Sequence, residues 1–307
     1  MVIRTVALVG ASGNLGPFIL EALQTSSILQ MTVLVRESSK SKFPDSVKVQ
    51  RIPDDLSPPE ALVDVLTGQD ALVLAFSGGS TAESKLFIDA AITAGVKRIV
   101  PADYGSCDSS NRRSLDIIPL YKEKEKVRNY LIERQGQGAG RLSWTSLITG
   151  HFFDYGLMSP LLGLDVQAGT AKVFDGGDVM WSSTTRTKIG MAVRKILELD
   201  EGEQRTKNRL VYIQQVRISQ NGLVAILGKV TGKAFSVEHV NSDLYITEHR
   251  EKLYDACDKM DREVIEELVC VEGIVNGDWQ GRPGLVNDLL GLSLEDAEAV
   301  VRRCVVG

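Results

Sequence analysis

Three glycines at positions 10, 13 and 16, within the octapeptide VGASGNLG, follow directly on the apolar run TVALV. Glycines at that spacing let a backbone come close to a phosphate. Gly10 would make the tight turn, Gly13 would admit a pyrophosphate, and Gly16 would let the following helix pack on the sheet. Ser12, Asn14 and Leu15 complete the turn, and Pro17 stands where a missing N–H costs a helix nothing. The free N–H groups of such a helix start, with the helix dipole behind them, attract an anion. A loop with no ligand can carry the same glycines. The location after the first strand and at the opening of a helix favours dinucleotide binding.

The end of the second strand bears on which dinucleotide. TVLVRESS closes on Arg36, and Lys42 follows shortly. A guanidinium there forks onto a 2'-phosphate, which a carboxylate would repel, so the spacing predicts NADPH over NADH. The neighbouring Glu37 keeps NADH open. Ser77 and Gly78 end the fourth strand in small residues, at the edge where open α/β sheets hold their ligands.

A reacting group is offered by the helix PLYKEKEKVRNYLIER. Leu120, Val127 and Leu131 form an apolar stripe, and Lys124 falls on the same face while Lys122, Glu123, Glu125 and Lys126 project elsewhere. A lysine withdrawn from water delivers a proton or stabilises an oxyanion when hydride adds to an enone or carbonyl. Tyr121, one turn earlier, is a second candidate donor. The two are one residue too close for the Tyr-x-x-x-Lys pair of short-chain dehydrogenases. A stem that carries the ammonium out to solvent is the competing reading.

The elements that must position these groups are legible as a rhythm. Strand-like runs RTVALV, MTVLVR, VKVQRI, DALVLAF, KRIVPA and LSWTSLI alternate with amphipathic helical stretches. Strands separated by helices pair in parallel with right-handed crossovers, which predicts an α/β fold with a doubly wound, Rossmann-type sheet. After about residue 150 the rhythm changes. We expect a dinucleotide-binding domain over 1–150 and a smaller α+β substrate lobe over 151–307, some of whose strands return to the main sheet. AKVFDGGDVMWSST reads as a hairpin turning at Gly176-Gly177.

Composition narrows the function. The chain has 307 residues, 43% of them apolar, and a net charge of -5 with no block of one sign, which speaks against nucleic acid or an anionic membrane as partner. No run reaches membrane-spanning length and no secretory leader is expected. Cys107, Cys257, Cys270 and Cys304 are scattered, and none pairs with His151, His239 or His249 at zinc-ligand spacing, so no metal site is expected. The expectation is a cytoplasmic protein with reduced thiols, a monomer or homodimer, acting on a small molecule.

These pieces resemble the NmrA-like, isoflavone reductase-like family of atypical short-chain dehydrogenases over most of the chain. GASGNLG is similar to the family's GxxGxxG, VLVRESS to its NADPH-selecting strand end, and KRIVPADYG to a strand followed by a Pro-Ser-Glu-Phe-Gly type segment. Alignment on KVRNYLIE places the reductases' lysine at Lys124. LITGHFFDYG is similar to the stretch beside the nicotinamide, which puts Phe152 where cofactor meets substrate. The resemblance implies an NADPH-dependent reductase of aromatic or polyketide-like secondary metabolites, nearer to fungal members than to plant ones. Asp103, Tyr104 and the run Thr149-Gly150-His151 depart from the family pattern, so neither ether cleavage nor isoflavone reduction is assumed.

Asp103, Tyr104 and His151 follow strands and are candidates to touch substrate, although a helix cap, a buried hydroxyl and a satisfied imidazole would explain them as well. Asp55 would reach adenine or cap a helix. Trp144 and Trp181 read as core, and the 276–284 loop with Trp279 as a surface loop or a lid. The family also contains dinucleotide-sensing regulators without turnover, which generally lack the lysine. A redox-neutral isomerase or cyclase is a third reading.

Overall fold

The structure is a computed structural model and describes residues 2–76, 80–137, 142–200, 202–253 and 261–306. The chain forms two compact units that interleave in sequence: residues 1–103, 122–147 and 187–211 make the first, and 104–121, 148–186 and 212–307 the second. A single boundary at residue 150 would assign 104–121 and 187–211 the other way.

The first unit is a sheet wrapped in helices. In chain order it begins with β1 (Thr5–Val9), α1 (Gly16–Gln24), β2 (Gln30–Arg36), β3 (Lys48–Ile52), α2 (Pro59–Leu66), β4 (Ala71–Leu74), α3 (Thr81–Thr93) and β5 (Arg98–Val100). Then come α4 (Arg112–Ile117), which belongs to the second unit, α5 (Pro119–Gly136) and β6 (Ser143–Ile148). The strands are short and rich in Val, Ile and Leu, as a sheet covered on both faces requires. Every pair from β3 through β2, β1, β4 and β5 to β6 is parallel. The order reverses between β1 and β4, the switch point at whose carboxyl edge such sheets open a crevice. Leu34, Leu72, Leu74, Ile99, Phe87 and Trp144 lie in one buried cluster beneath the helices. The fold class expected from the sequence is the one observed.

The second unit takes up β7 (His151–Phe152), α6 (Phe153–Leu157), β8 (Leu164–Asp165), β9 (Thr170–Phe174) and β10 (Met180–Thr184). Helix α7 (Arg186–Glu198) and strand β11 (Arg209–Tyr212) return to the first unit, where β11 lies beside β6. The chain ends with β12 (Val216–Ser219), α8 (Gln220–Thr231), β13 (Ser236–Val240), α9 (Ser242–Glu251), α10 (Arg262–Asn276) and α11 (Ala297–Val305). Two three-stranded sheets result, β12-β10-β7 and β13-β9-β8.

The expected hairpin is corrected here: β9 and β10 part into different sheets. Asp175, Gly176 and Gly177 all have positive φ (46°, 83° and 82°), one residue more than a two-residue hairpin turn uses. Asn221 of α8 seals the bend by donating to the Gly176 carbonyl and to Asp178, and Asp175 N–H donates to the Val240 carbonyl. Among the described residues no helix is long and apolar enough to cross a membrane.

Candidate active site

At the switch point the glycines do what their spacing requires. Gly10 has φ +85°, and a Cβ there would meet the Ala75 backbone at 2.6 Å, so the turn presses against the end of β4. Gly13 N–H closes the turn on the Gly10 carbonyl at 3.0 Å. A Cβ on Gly16 would sit 2.0 Å from that carbonyl, so only glycine lets α1 start there. Helix α1 has Leu15 as its N-cap residue, with no side-chain cap bond and no acid in its first turn, so its start is suited to an anion. Ser12, Gly13 and Asn14 are exposed on the loop, whereas Leu15 and Gly16 are buried beneath it.

A groove of about 270 Å³ opens beside this turn, lined by Gly10, Ala11 and Ser12, by Val35 and Arg36 at the end of β2 with Ser38 and Ser39 just beyond, and by Phe76, Glu83 and Phe87. The lining is largely apolar, with serines, one guanidinium and one carboxylate, Glu83, a set that fits the adenosine half of a dinucleotide. Arg36 donates to the Asp54 carbonyl through Nη1 and pairs with Glu83 through Nη2 at 2.7 Å. Asp54 accepts the N–H and hydroxyl of Ser38 at 3.0 and 2.8 Å, which hold its carboxyl below the usual carboxylate range. Behind the loop, Arg51 Nη1 donates to the carbonyls of Arg36, Glu37 and Ser39 and pins the turn. Lys42 is exposed and outside the groove's lining. Asp55 accepts from Ser57 N–H in a local turn and does not cap α2, whose N-cap residue is Pro58. Ser77 and Gly78 lie outside the described residues.

Lys124 lies on the buried face of α5, as the stripe predicts: Tyr121, Lys124, Val127, Arg128 and Leu131 are all less than a tenth exposed. Its ammonium donates to the main-chain carbonyl of Asp103 and stands 4.0 Å from that residue's carboxylate. The carboxylate itself accepts from Arg128 at 2.6 Å and from the hydroxyl of Ser146 on β6. Two cations and one anion are thus buried together, with only about 10 Å³ of free space beside them. Burying three charges is costly unless each is paired and hydrogen-bonded. Asp103 is therefore an organiser of the lysine in this unit. The sequence reading passed over Arg128; its spacing from Tyr121 and Lys124, i+7 and i+4, is the signal that would have found it.

The remaining candidates belong to the second unit. Tyr121 is 1% exposed and its hydroxyl bonds Ser106 Oγ at 2.8 Å; burial pushes its pKa well above the ordinary phenol value. Tyr104 is buried with φ +39°, a strained corner for a non-glycine residue. His151 packs in contact distance of Gly273, where a Cβ would meet its Nε2 at 2.4 Å, and edge-on to Trp181. Burial lowers its pKa to about 4, partly offset by the Cys270 backbone, so the ring is neutral. Phe152 is half-buried at the end of β7. Trp279 is fully buried rather than in a surface loop: its main-chain N–H donates to Ser182 Oγ, and Arg282 ties the same loop to Asp108.

A model of the NmrA-like family matches residues 3–274. The chain belongs to that family. An oxidoreductase of Aspergillus flavus, aprR, is 33% identical over 306 residues, covering 98% of this chain and 99% of the relative. Oxidoreductase poxI of Penicillium oxalicum is 27% identical, covering 95% and 91%. Among solved structures, AtPrR2 with NADP+ and (+)pinoresinol superposes with a TM-score of 0.74 at 19% identity, covering 99% of each chain, a likeness of fold. For this NmrA-like chain, the expectation of an enzyme of the isoflavone reductase-like type agrees with relatives that are themselves named oxidoreductases.

Proposed function

We propose that the protein is an NADPH-dependent reductase of an aromatic or polyketide-like secondary metabolite, working in the cytoplasm on an enone, carbonyl or quinone-methide-like group. The observation that carries this reading is Lys124: a buried ammonium held on a main-chain carbonyl, with the neighbouring carboxylate committed to Arg128. A buried ammonium has protons to offer a developing oxyanion. The glycine turn and Arg36 would hold the dinucleotide, the first through backbone N–H groups and the second through its guanidinium. When bound, that cofactor supplies the hydride. Phe152 would border the substrate. Tyr121 we leave out of proton transfer, because its hydroxyl is sequestered by Ser106 and too weak an acid near neutrality.

The relatives named as oxidoreductases support the reaction class, and the structural neighbour holding NADP+ and pinoresinol supports the cofactor and an aromatic substrate. The test is NADPH oxidation by wild type and Lys124→Ala over a panel of enones, quinones and phenolic ethers. Loss of Lys124 should lower kcat by about 10²–10⁴ while NADPH still binds. A variant with undiminished turnover removes Lys124 from the chemistry. Cofactor binding without turnover on any compound puts the reading as a dinucleotide-sensing regulator ahead.

A further inference from the structure

We propose that Glu83 is a specificity-determining residue, a carboxylate that competes with the 2'-phosphate of NADPH for Arg36 and so limits the preference for NADPH over NADH. The inference rests on the reading of the groove as a dinucleotide site with Arg36 as its phosphate anchor. Arg36 stands at the end of β2 and Glu83 in the first turn of α3, and both line the same groove. Their side chains meet at 2.7 Å, each 38% exposed. The guanidinium has one nitrogen on the Asp54 carbonyl and another on Glu83, so its anion-facing side is already occupied by the chain's own carboxylate. Asp54 is a second acid nearby, but its carboxylate is hydrogen-bonded to Ser38 and reaches Arg36 only through its field, while its main-chain carbonyl takes the hydrogen bond.

The two cofactors would meet this pair differently. A dianionic phosphate needs both arms of the guanidinium, and it would sit within a few ångströms of Glu83 once there. It must displace the carboxylate and then tolerate it. A ribose 2'-hydroxyl has a proton to give and can donate to Glu83 while the Arg36–Glu83 pair stays closed. The carboxylate therefore penalises NADPH and spares NADH. The residue is also placed where its loss does little harm to the fold. The helix cap uses the main-chain N–H of Glu83, which donates to Ser80 Oγ at 3.3 Å whatever acid or amide the side chain carries.

The experiment is a fluorescence titration of wild type, Glu83→Gln and Arg36→Ala with NADPH and with NADH, at low and at high salt. Glu83→Gln should tighten NADPH by about two- to fivefold, the size of an exposed charge interaction, and the gain should shrink as salt screens it. NADH affinity should stay within about twofold or fall. Unchanged or weaker NADPH binding in Glu83→Gln overturns the proposal, and so does equal tightening of both cofactors, which would mark a general field on the pyrophosphate. Arg36→Ala keeps the two failures apart. If it weakens NADPH while Glu83→Gln changes nothing, the anchor stands and Glu83 does not compete. If it leaves NADPH untouched, the anchor reading itself is gone, and this inference with it.

Discussion

The glycine turn and the Lys124 cluster lie on the same sheet-and-helix unit but are made of different material. The turn is built by leaving atoms out: Gly10 and Gly16 press on backbone at 2.6 and 2.0 Å from where a Cβ would be. The cluster is built by putting charged atoms in: Lys124, Arg128, Asp103 and Ser146 fill a space that has almost nothing left over. One site should fail on any addition and the other on any removal. The difference also decides what each can tolerate. A backbone cradle has one solution per position, whereas a charge cluster can be rebalanced by a second substitution.

The sharpest way to break the first half of that contrast is Gly16→Val. Its branched side chain has no room against the Gly10 carbonyl, so α1 must shift or the turn must open. We expect about 4 kcal/mol or more of lost stability, and no measurable NADPH binding by whatever folds. Urea unfolding and a fluorescence titration read both. A stable variant that still binds the cofactor would mean that the turn is not a phosphate cradle.

The second half is tested by Asp103→Asn. Removing the anion leaves the Lys124 ammonium and the Arg128 guanidinium buried together with the charge they share gone, and should cost about 3–5 kcal/mol in urea unfolding. Adding Arg128→Met to that variant should recover part of the loss, because one of the two buried cations goes with it. If the double variant is less stable than Asp103→Asn alone, the cluster is not held together by charge balance.

The same contrast explains what could be read from the sequence. Glycine spacing encodes backbone geometry directly, so the turn, α1 and the parallel strands up to β6 were legible from residues a few positions apart. Lys124 was legible because a helix face repeats locally. Its partners were not. Ser146 comes from β6 and Asp103 follows β5, and nothing in a period of 3.6 or 2 announces that they converge on Arg128. The hairpin at Gly176-Gly177 was misread for a related reason. The turn chemistry was right, but the partners of β9 and β10 were set by distant strands, β13 and β12. Trp279 looked like loop because its neighbours are Gly, Asp, Gln and Gly; its burial depends on Ser182, far away in sequence.

His151 gives the contrast a pH axis, since it is a buried titratable group with no counter-charge of the kind Asp103 supplies. Its folded pKa, about 4, is below the ordinary histidine value of 6.5. The unfolded state therefore binds the proton first as pH falls. Stability should be full above pH 6.5, decline between 6.5 and 4, and lose about 3 kcal/mol from this group across that window. The acids with lowered pKa, such as Asp108 and Asp278, lose their contribution further down and leave the window to His151. His151→Gln should flatten the profile from pH 6.5 to 4 in urea unfolding. A variant that keeps the full slope would place the titrating group elsewhere.

The smallest effects separate the two basic residues that the sequence offered for the phosphate. Arg36 lines the groove and is held in place from behind by the loop that Arg51 pins; Lys42 is exposed and outside the lining. Arg36→Ala should weaken NADPH by about tenfold, the worth of a charged hydrogen bond at a half-exposed site. Lys42→Ala should weaken it by less than about twofold, and that only at low salt, because an exposed ammonium beyond the groove acts through a screened field. Titration of both variants at two salt concentrations decides between a built anchor and a diffuse basic patch. Equal losses that vanish together with salt would mean that position in the groove counts for nothing at this end, and that the cofactor is drawn by charge alone.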